Sequence, residues 1–129
     1  KIHEAFLGSC NNGRLEDLRA GAAILKGRKV HPLVRFLVVP ASRQIYLDAL
    51  EEGLLDIFME AGAIVMNPNC SVCWGSCQGV IGENEVLIST GTRNFKGRAG
   101  HPSSKVYLGS AATVTASAIA GKIATADQI

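Results

Sequence analysis

The sequence predicts an α/β domain, a three-layer α/β/α arrangement with a largely parallel sheet. Short apolar runs typical of buried strands recur along the 129-residue chain. Helical stretches, amphipathic or rich in small residues, lie between most of these runs. Such alternation favours parallel strands that are joined by helical crossovers. The length is that of one domain, so we expect residues 1–129 to form a single unit. Residues 1–7 resemble a strand that is already under way, and we therefore expect the chain to be a piece of a longer protein.

Five strands are predicted, each a short apolar run that ends at a turn. They cover residues 2–7, 34–39, 63–66, 86–89 and 106–108. The run 63–66 is wholly apolar, which indicates a buried strand. Pro68 ends it, because proline has no amide hydrogen to donate.

Four helices are predicted between these strands. The first has an apolar face at residues 15, 18, 22 and 25, with Asn12 as N-cap and Gly27 as stop. Ser42 caps a second helix that runs to about residue 52, and Gly53 separates it from a third over 54–61. The last starts at Ser110 and runs to about residue 121. It is rich in alanine, serine and threonine, so we expect it to pack closely against a neighbour.

Composition excludes several classes of function. The net charge is +2, aromatic residues make up 5% of the chain, and no block of basic residues stands out. Nucleic-acid binding is therefore not expected. No apolar run approaches the roughly 18 residues that would cross a bilayer, so no membrane partner is expected.

The cysteines point to metal or redox chemistry. There are four, Cys10, Cys70, Cys73 and Cys77, and three are crowded into eight residues. This is unlike the spread of a secreted disulfide framework and indicates a reducing, cytoplasmic location. A C-x-x-C pair on a turn brings two sulfurs close enough to share a metal or cluster edge.

Strand order predicts where these residues meet. Cys10 follows the first strand, Cys70 and Cys73 follow the third, and Arg93 and Arg98 follow the fourth. Ligands of open α/β sheets gather at the carboxyl ends of the strands. If the strands are parallel, all five residues share one edge.

The residues alone leave several chemistries open. Three thiolates suit a cubane iron–sulfur cluster with one iron left open, whereas zinc or a redox C-x-x-C are alternatives. Arg93 and Arg98 on a glycine-rich loop suit carboxylate capture, but such a loop also carries ordinary surface arginines. The histidines show no ligand spacing and are interpreted as structural.

Three stretches together resemble one known family. They are residues 8–14 (Gly-Ser-Cys-Asn-Asn-Gly-Arg), residues 67–75 (Asn-Pro-Asn-Cys-Ser-Val-Cys-Trp-Gly) and residues 89–100, which contain Arg-Asn-Phe-Lys-Gly-Arg. In this order they resemble the aconitase superfamily, most closely its branch of 3-isopropylmalate dehydratase and homoaconitase large subunits. The likeness spans nearly the whole chain.

The resemblance implies a set of roles. Cys10, Cys70 and Cys73 would hold a [4Fe-4S] cluster with one iron not held by protein, and Arg93 and Arg98 would bind substrate carboxylates. The implied reaction is hydro-lyase isomerisation of a 2- or 3-hydroxy di- or tricarboxylic acid by dehydration and rehydration. No catalytic base is expected in this chain.

The resemblance also implies partners. These are a small subunit with the swivelling domain, the remaining domains of the large subunit, and a small hydroxy acid. The chain alone is expected to be inactive and, with its site exposed, prone to lose the cluster by oxidation. An alternative without catalysis is a zinc-binding or redox C-x-x-C module.

Three residues depart from the family pattern. Asn11 stands where threonine is usual, Thr92 stands where an asparagine is usual, and Cys77 is an extra thiol without a family ligand role.

Overall fold

The computed structural model describes residues 1–8, 13–67, 81–91 and 103–129, and the structural statements below refer to these residues. The strands are β1 (Glu4–Gly8), β2 (Arg35–Val39), β3 (Ile64–Val65), β4 (Val86–Ser89) and β5 (Lys105–Leu108). The helices are α1 (Leu15–Leu25), α2 (Arg43–Glu51), α3 (Leu54–Ala61) and α4 (Ala111–Ala120), followed by a short 3-10 turn, Ala126–Gln128.

The described strands form one five-stranded sheet in the order β3-β2-β1-β4-β5. Every neighbouring pair is parallel. The chain builds outward from β1 through β2 to β3, and then returns to the other side of β1 with β4 and β5. The prediction of an α/β domain with a largely parallel sheet is therefore confirmed.

Two apolar clusters lie on opposite faces of the sheet. One joins buried side chains of all four described helices to alternate residues of the strands, such as Leu7, Val38 and Ile88. The other contains the intervening strand residues, such as Phe6 and Leu87, together with other apolar side chains. Both faces of the central strands are buried, as a parallel sheet in a three-layer α/β domain requires.

The helix boundaries follow local signals that the sequence carries. The Ser42 hydroxyl accepts a hydrogen bond from the amide of Ile45 at 3.2 Å and caps α2. Gly53 separates α2 from α3 with φ of 79°, and Gly62 ends α3 with φ of 100°. Such left-handed conformations favour glycine, which explains why both helices stop where predicted.

The start of α1 differs from the prediction. The N-cap of this helix is Arg14, with extended backbone, and its amide donates to the Asp17 carboxylate at 3.3 Å. The expectation that Asn12 is the N-cap was therefore wrong. An acidic residue at the third helical position satisfies the free amide instead, which a search for short polar caps overlooks.

The third strand is shorter and more exposed than predicted. It spans two residues, Ile64–Val65, and Ile64 is 47% exposed. β3 is the edge strand of the sheet, paired on one side with β2. The expectation of a buried strand was wrong. An apolar run does not show whether a strand has neighbours on both sides, and a strand at the edge of the sheet stays partly exposed.

Small side chains bring α1 and α4 close together. A Cβ atom added at Gly21 of α1 would lie 2.9 Å from the hydroxyl of Thr115 on α4 and 2.8 Å from a methyl group of Leu7 on β1. Both are closer than real Cβ atoms approach such neighbours. The predicted close packing of the small-residue helix α4 is thus confirmed, and its neighbours are α1 and β1.

A charged cluster ties three strands together at the amino edge of the sheet. The Arg35 guanidinium donates to Glu4 at 3.1 Å and to both carboxylate oxygens of Glu85, at 3.2 and 2.7 Å. Glu4 is 1% exposed, and its Oε2 atom has no hydrogen-bond partner within the described part of the chain. Loss of hydration raises the pKa of Glu4 to about 7, despite the opposing effect of Arg35.

A membrane-spanning helix is not found in the portion of the chain that the structure describes.

Candidate functional site

The carboxyl edge of the sheet carries the candidate site. β1 ends at Gly8, β3 at Val65 and β4 at Ser89, and these strands run in the same direction. The chain therefore leaves the sheet at one edge before each of the three stretches that the sequence singled out. The order of strands also reverses between β1 and β4, and ligands of open α/β sheets bind at such a reversal.

One side chain joins β1 to β4 at this reversal. The Thr90 hydroxyl accepts a hydrogen bond from the amide of Gly8 at 2.9 Å and donates one to the carbonyl of Gly8 at 3.0 Å. The amide of Thr90 donates to the carbonyl of Phe6 at 3.0 Å. Gly8 and Thr90 are both buried, so these bonds lie away from water.

Gly8 is also confined from the side of β2. A Cβ atom added at this position would lie 2.6 Å from the carbonyl oxygen of Val39. No side chain fits at that distance, and the backbone of β1 approaches β2 closely because residue 8 is glycine. The chain thus enters residues 9–12 from a point that is held on both sides.

The far end of that stretch is held as well. The amide of Ala41, just after β2, donates to the carbonyl of Gly13 at 2.8 Å. Both ends of the segment 9–12, which contains Cys10, are therefore attached to neighbouring elements of the sheet edge.

The candidate residues themselves lie outside the described residues. This applies to the predicted ligands Cys10, Cys70 and Cys73 and to the predicted carboxylate-binding Arg93 and Arg98. It applies equally to Cys77. The described residues contain no group of three or more histidine, cysteine or acidic side chains that could hold a metal ion. The site assignments therefore stay predictions.

Distances along the edge are compatible with those predictions. Adjacent strands lie about 4.8 Å apart, so β1 is about 5 Å from β4 and about 10 Å from β3. Cys10 lies two residues beyond Gly8, and Cys70 lies five residues beyond Val65. Five residues span up to about 17 Å when extended. The length of chain is thus sufficient for the thiols to meet.

The helices contribute a favourable field at the same edge. α1, α2 and α4 each begin where a strand has just ended, after β1, β2 and β5 respectively. The N-terminal end of a helix carries partial positive charge, which favours bound anions. Thiolate ligands and substrate carboxylates are both anionic, so the edge suits both.

Two of the cavities lined by described residues open near this edge. One, of about 430 Å³, is lined by Asp17, Thr90, Ser110 and their neighbours between the ends of β4 and β5. Partial burial raises the pKa of Asp17. The other, of about 490 Å³, is lined by Arg43, Tyr46, Leu47 and Asn67.

Sequence reasoning did not select Thr90 or Arg43 as site residues. Both follow a strand, β4 and β2 respectively, and this placement is the signal that could have found them.

Family membership agrees with the fold and the edge. The model of the aconitase family (aconitate hydratase) matches residues 1–121 of this chain. The chain belongs to the aconitase family.

Individual relatives have more specific names. The chain is 53% identical over 128 residues to the 3-isopropylmalate dehydratase large subunit of Hydrogenobaculum sp., covering 99% of this chain and 30% of the relative. It is 54% identical over 133 residues to the protein of that name from Aquifex aeolicus, covering 99% and 31%. It is 57% identical over 123 residues to a probable 3-isopropylmalate dehydratase large subunit from Methanothermobacter thermautotrophicus, covering 95% and 29%. The chain thus spans about 30% of the length of these relatives.

The donor set and the edge fit an iron–sulfur cluster. Proteins of the aconitase family generally bind a [4Fe-4S] cluster. Such clusters are held by cysteine thiolates, and this chain carries cysteines after two strands that end at one edge. The helix N-termini there add the charge that an anionic group requires.

Proposed function

We propose that this chain is the cluster-binding part of a hydro-lyase that isomerises a 2- or 3-hydroxy di- or tricarboxylic acid. The reaction removes water and adds it back at the neighbouring carbon. The proposed enzyme is a 3-isopropylmalate dehydratase or a homoaconitase, and the names of the relatives favour the first. The observation that carries the proposal is the shared carboxyl edge of β1, β3 and β4, from which all three sequence stretches depart.

The thiols and the guanidinium groups have different proposed roles at this edge. Cys10, Cys70 and Cys73 are the proposed cluster ligands, because thiolates are the usual protein ligands of such clusters. Arg93 and Arg98 are the proposed partners of substrate carboxylates, because a guanidinium binds a carboxylate through two parallel hydrogen bonds. Together they would fix the hydroxy acid in one orientation. When bound, a cluster held by three thiolates supplies a Lewis acid, since one iron is left without a protein ligand.

The proposal assigns the remaining groups to partners. No general base for proton removal is proposed in this chain. The family resemblance assigns that base to a small subunit and further site residues to the other domains of the large subunit. A cytoplasmic location is proposed with this role, because thiolate ligands require reducing conditions.

The ligand set is tested by serine substitutions in the full-length large subunit. Anaerobic reconstitution with iron and sulfide should give about four iron and four sulfide atoms per chain, the content of a cubane cluster. Cys10→Ser, Cys70→Ser and Cys73→Ser should each reduce the retained iron severalfold, because each removes a ligand. Cys77→Ser is the matched control, since it removes a neighbouring thiol without a proposed ligand role, and it should retain the full content.

The same preparation distinguishes the alternative function. About one zinc and no iron in protein purified without air would favour a zinc-binding module instead. Unchanged iron uptake in Cys10→Ser would contradict the proposed ligand set.

A further inference from the structure

We propose that Thr90 is a positioning residue that holds the end of β1 against the end of β4, the two points from which the chain continues to Cys10 and to Arg93. The inference rests on the proposed function, because it concerns the cluster ligand and the carboxylate-binding residue assigned there. It adds a residue to which neither composition nor motif gave a role.

The first argument is where the pairing of β1 and β4 stops. The two strands are paired at Glu4 with Leu87, Ala5 with Ile88 and Phe6 with Ser89. The last paired residues are Phe6 and Ser89, and the amide of Thr90 still donates to the carbonyl of Phe6. Two residues further along β1, the Thr90 side chain binds both the amide and the carbonyl of Gly8, so a side chain extends the connection past the last backbone pair.

The second argument is the strength of this connection. One buried hydroxyl, with Thr90 3% exposed, satisfies two backbone groups of Gly8. Leaving buried amide and carbonyl groups without partners is costly, so Gly8 stays where Thr90 holds it. The carbonyl of Val39 blocks movement toward β2, since only a residue without Cβ fits there.

The third argument is proximity along the chain. Cys10 lies two residues beyond Gly8, and Arg93 lies three residues beyond Thr90. The ends of β1 and β4 are the points from which these two segments start, and Thr90 joins those points. We therefore expect loss of the Thr90 hydroxyl to weaken the retention of iron by the ligand set that includes Cys10.

The experiment compares Thr90→Ser with Thr90→Ala in the full-length large subunit complexed with its small subunit. The two variants differ by the hydroxyl alone. Thr90→Ala should release iron to a chelator roughly tenfold faster than wild type, since buried hydrogen bonds of this kind are lost. Thr90→Ser should stay within about twofold of wild type, because its hydroxyl restores the same bonds.

A matched pair tests for a general loss of stability. Thr115 is 0% exposed and its hydroxyl donates to the carbonyl of Ala111 at 2.8 Å, within α4. Thr115→Ser and Thr115→Ala should leave the rate of iron release unchanged, whatever they do to the melting temperature.

The outcomes separate this inference from the function on which it rests. If wild type binds no iron, the proposed function fails and this inference fails with it. If wild type binds iron but Thr90→Ala and Thr90→Ser release it equally fast, Thr90 has a merely structural role. Should Thr90→Ala not fold, amide exchange of Gly8 in wild type stripped of iron decides the matter. Slow exchange supports a prearranged segment, and fast exchange overturns it.

Discussion

At the scale of single residues, Glu4 is buried at a position where an ionised carboxylate destabilises the fold. Its buried position on the central strand removes hydration, and the Arg35 guanidinium interacts with only one of its two oxygens. The same guanidinium holds the pKa of Glu85 below its usual range through a hydrogen bond, whereas the pKa of Glu4 is raised because burial outweighs the pairing. The pKa values of these two carboxyl groups are therefore shifted in opposite directions from their ordinary values.

This placement predicts a specific dependence of stability on pH. The pKa of Glu4 is about 7 in the folded chain, whereas the ordinary value, expected in the unfolded chain, is 4.5. The folded chain therefore binds a proton at Glu4 more tightly than the unfolded chain does. The contribution of Glu4 to the free energy of unfolding is fully present below about pH 4.5 and is lost as the pH rises through about 7. Glu4→Gln should therefore raise the free energy of unfolding at pH 8 by up to about 3 kcal/mol, and by less at pH 5.

Urea denaturation of both proteins at pH 5 and pH 8 measures this difference. Glu51→Gln, an exposed carboxylate on α2, is the control and should show little change at either pH. A Glu4→Gln chain less stable than wild type at pH 8 would mean that the ion pair with Arg35 outweighs burial.

At the scale of elements, the contact of α1 with α4 depends on the absence of a side chain at Gly21. Glycine inside a helix normally costs about 1 kcal/mol relative to alanine. Here the helix tolerates it because Thr115 and Leu7 occupy the space that a Cβ atom would need. Close packing of two helices thus outweighs local helix propensity.

Gly21→Ala should consequently destabilise the chain by about 1–3 kcal/mol, although alanine is the better helix former. The expected cause is the contact with the Thr115 hydroxyl at 2.9 Å. The double variant Gly21→Ala, Thr115→Ala should then be less destabilised than the sum of the two single variants. Denaturant unfolding of the four proteins measures the coupling, and strict additivity would contradict the proposed contact.

The boundaries of helices and strands were predictable where a few adjacent residues determine them. The burial of a strand residue was not, because it depends on which strands pair with it. The glycines that end α3 and α4, the Ser42 cap and the range of β4 all follow from the sequence, because each depends on a few adjacent residues. The exposure of β3 and the burial of Glu4 depend on which strands lie beside them. Partners in the sheet lie far apart in sequence, as Glu4 and Arg35 do at 31 positions and His3 and Val86 at 83, so a strand carries no local mark of its neighbours.

At the scale of the whole molecule, the candidate site is an edge shared by several segments. Its position was predictable, because parallel strands bring their carboxyl ends together whatever their order in the sheet. The hydrogen bond between Thr90 and Gly8 that holds two strands together at this edge was not predictable, because it joins residues 82 positions apart. The roles of the cysteines and of Arg93 and Arg98 stay predictions.

The incomplete site predicts that the 129-residue chain alone has no isomerase activity. The proposed function assigns proton removal to a partner, so the hydroxy acid can bind at most without reacting. The assay follows the isomerised product with the reconstituted chain, and the full-length large subunit with its small subunit serves as the active control. Turnover by the chain alone, above the uncatalysed background, would contradict the proposed division of roles.

The bond between Gly8 and Thr90 also has a consequence for synthesis on the ribosome. Its two ends emerge 82 residues apart. At about 5–20 residues per second, the central strand waits roughly 4–16 s for the neighbour that completes it. During that interval the first strand has one flank uncovered, and a chaperone that covers unpaired backbone amide and carbonyl groups would find its target there.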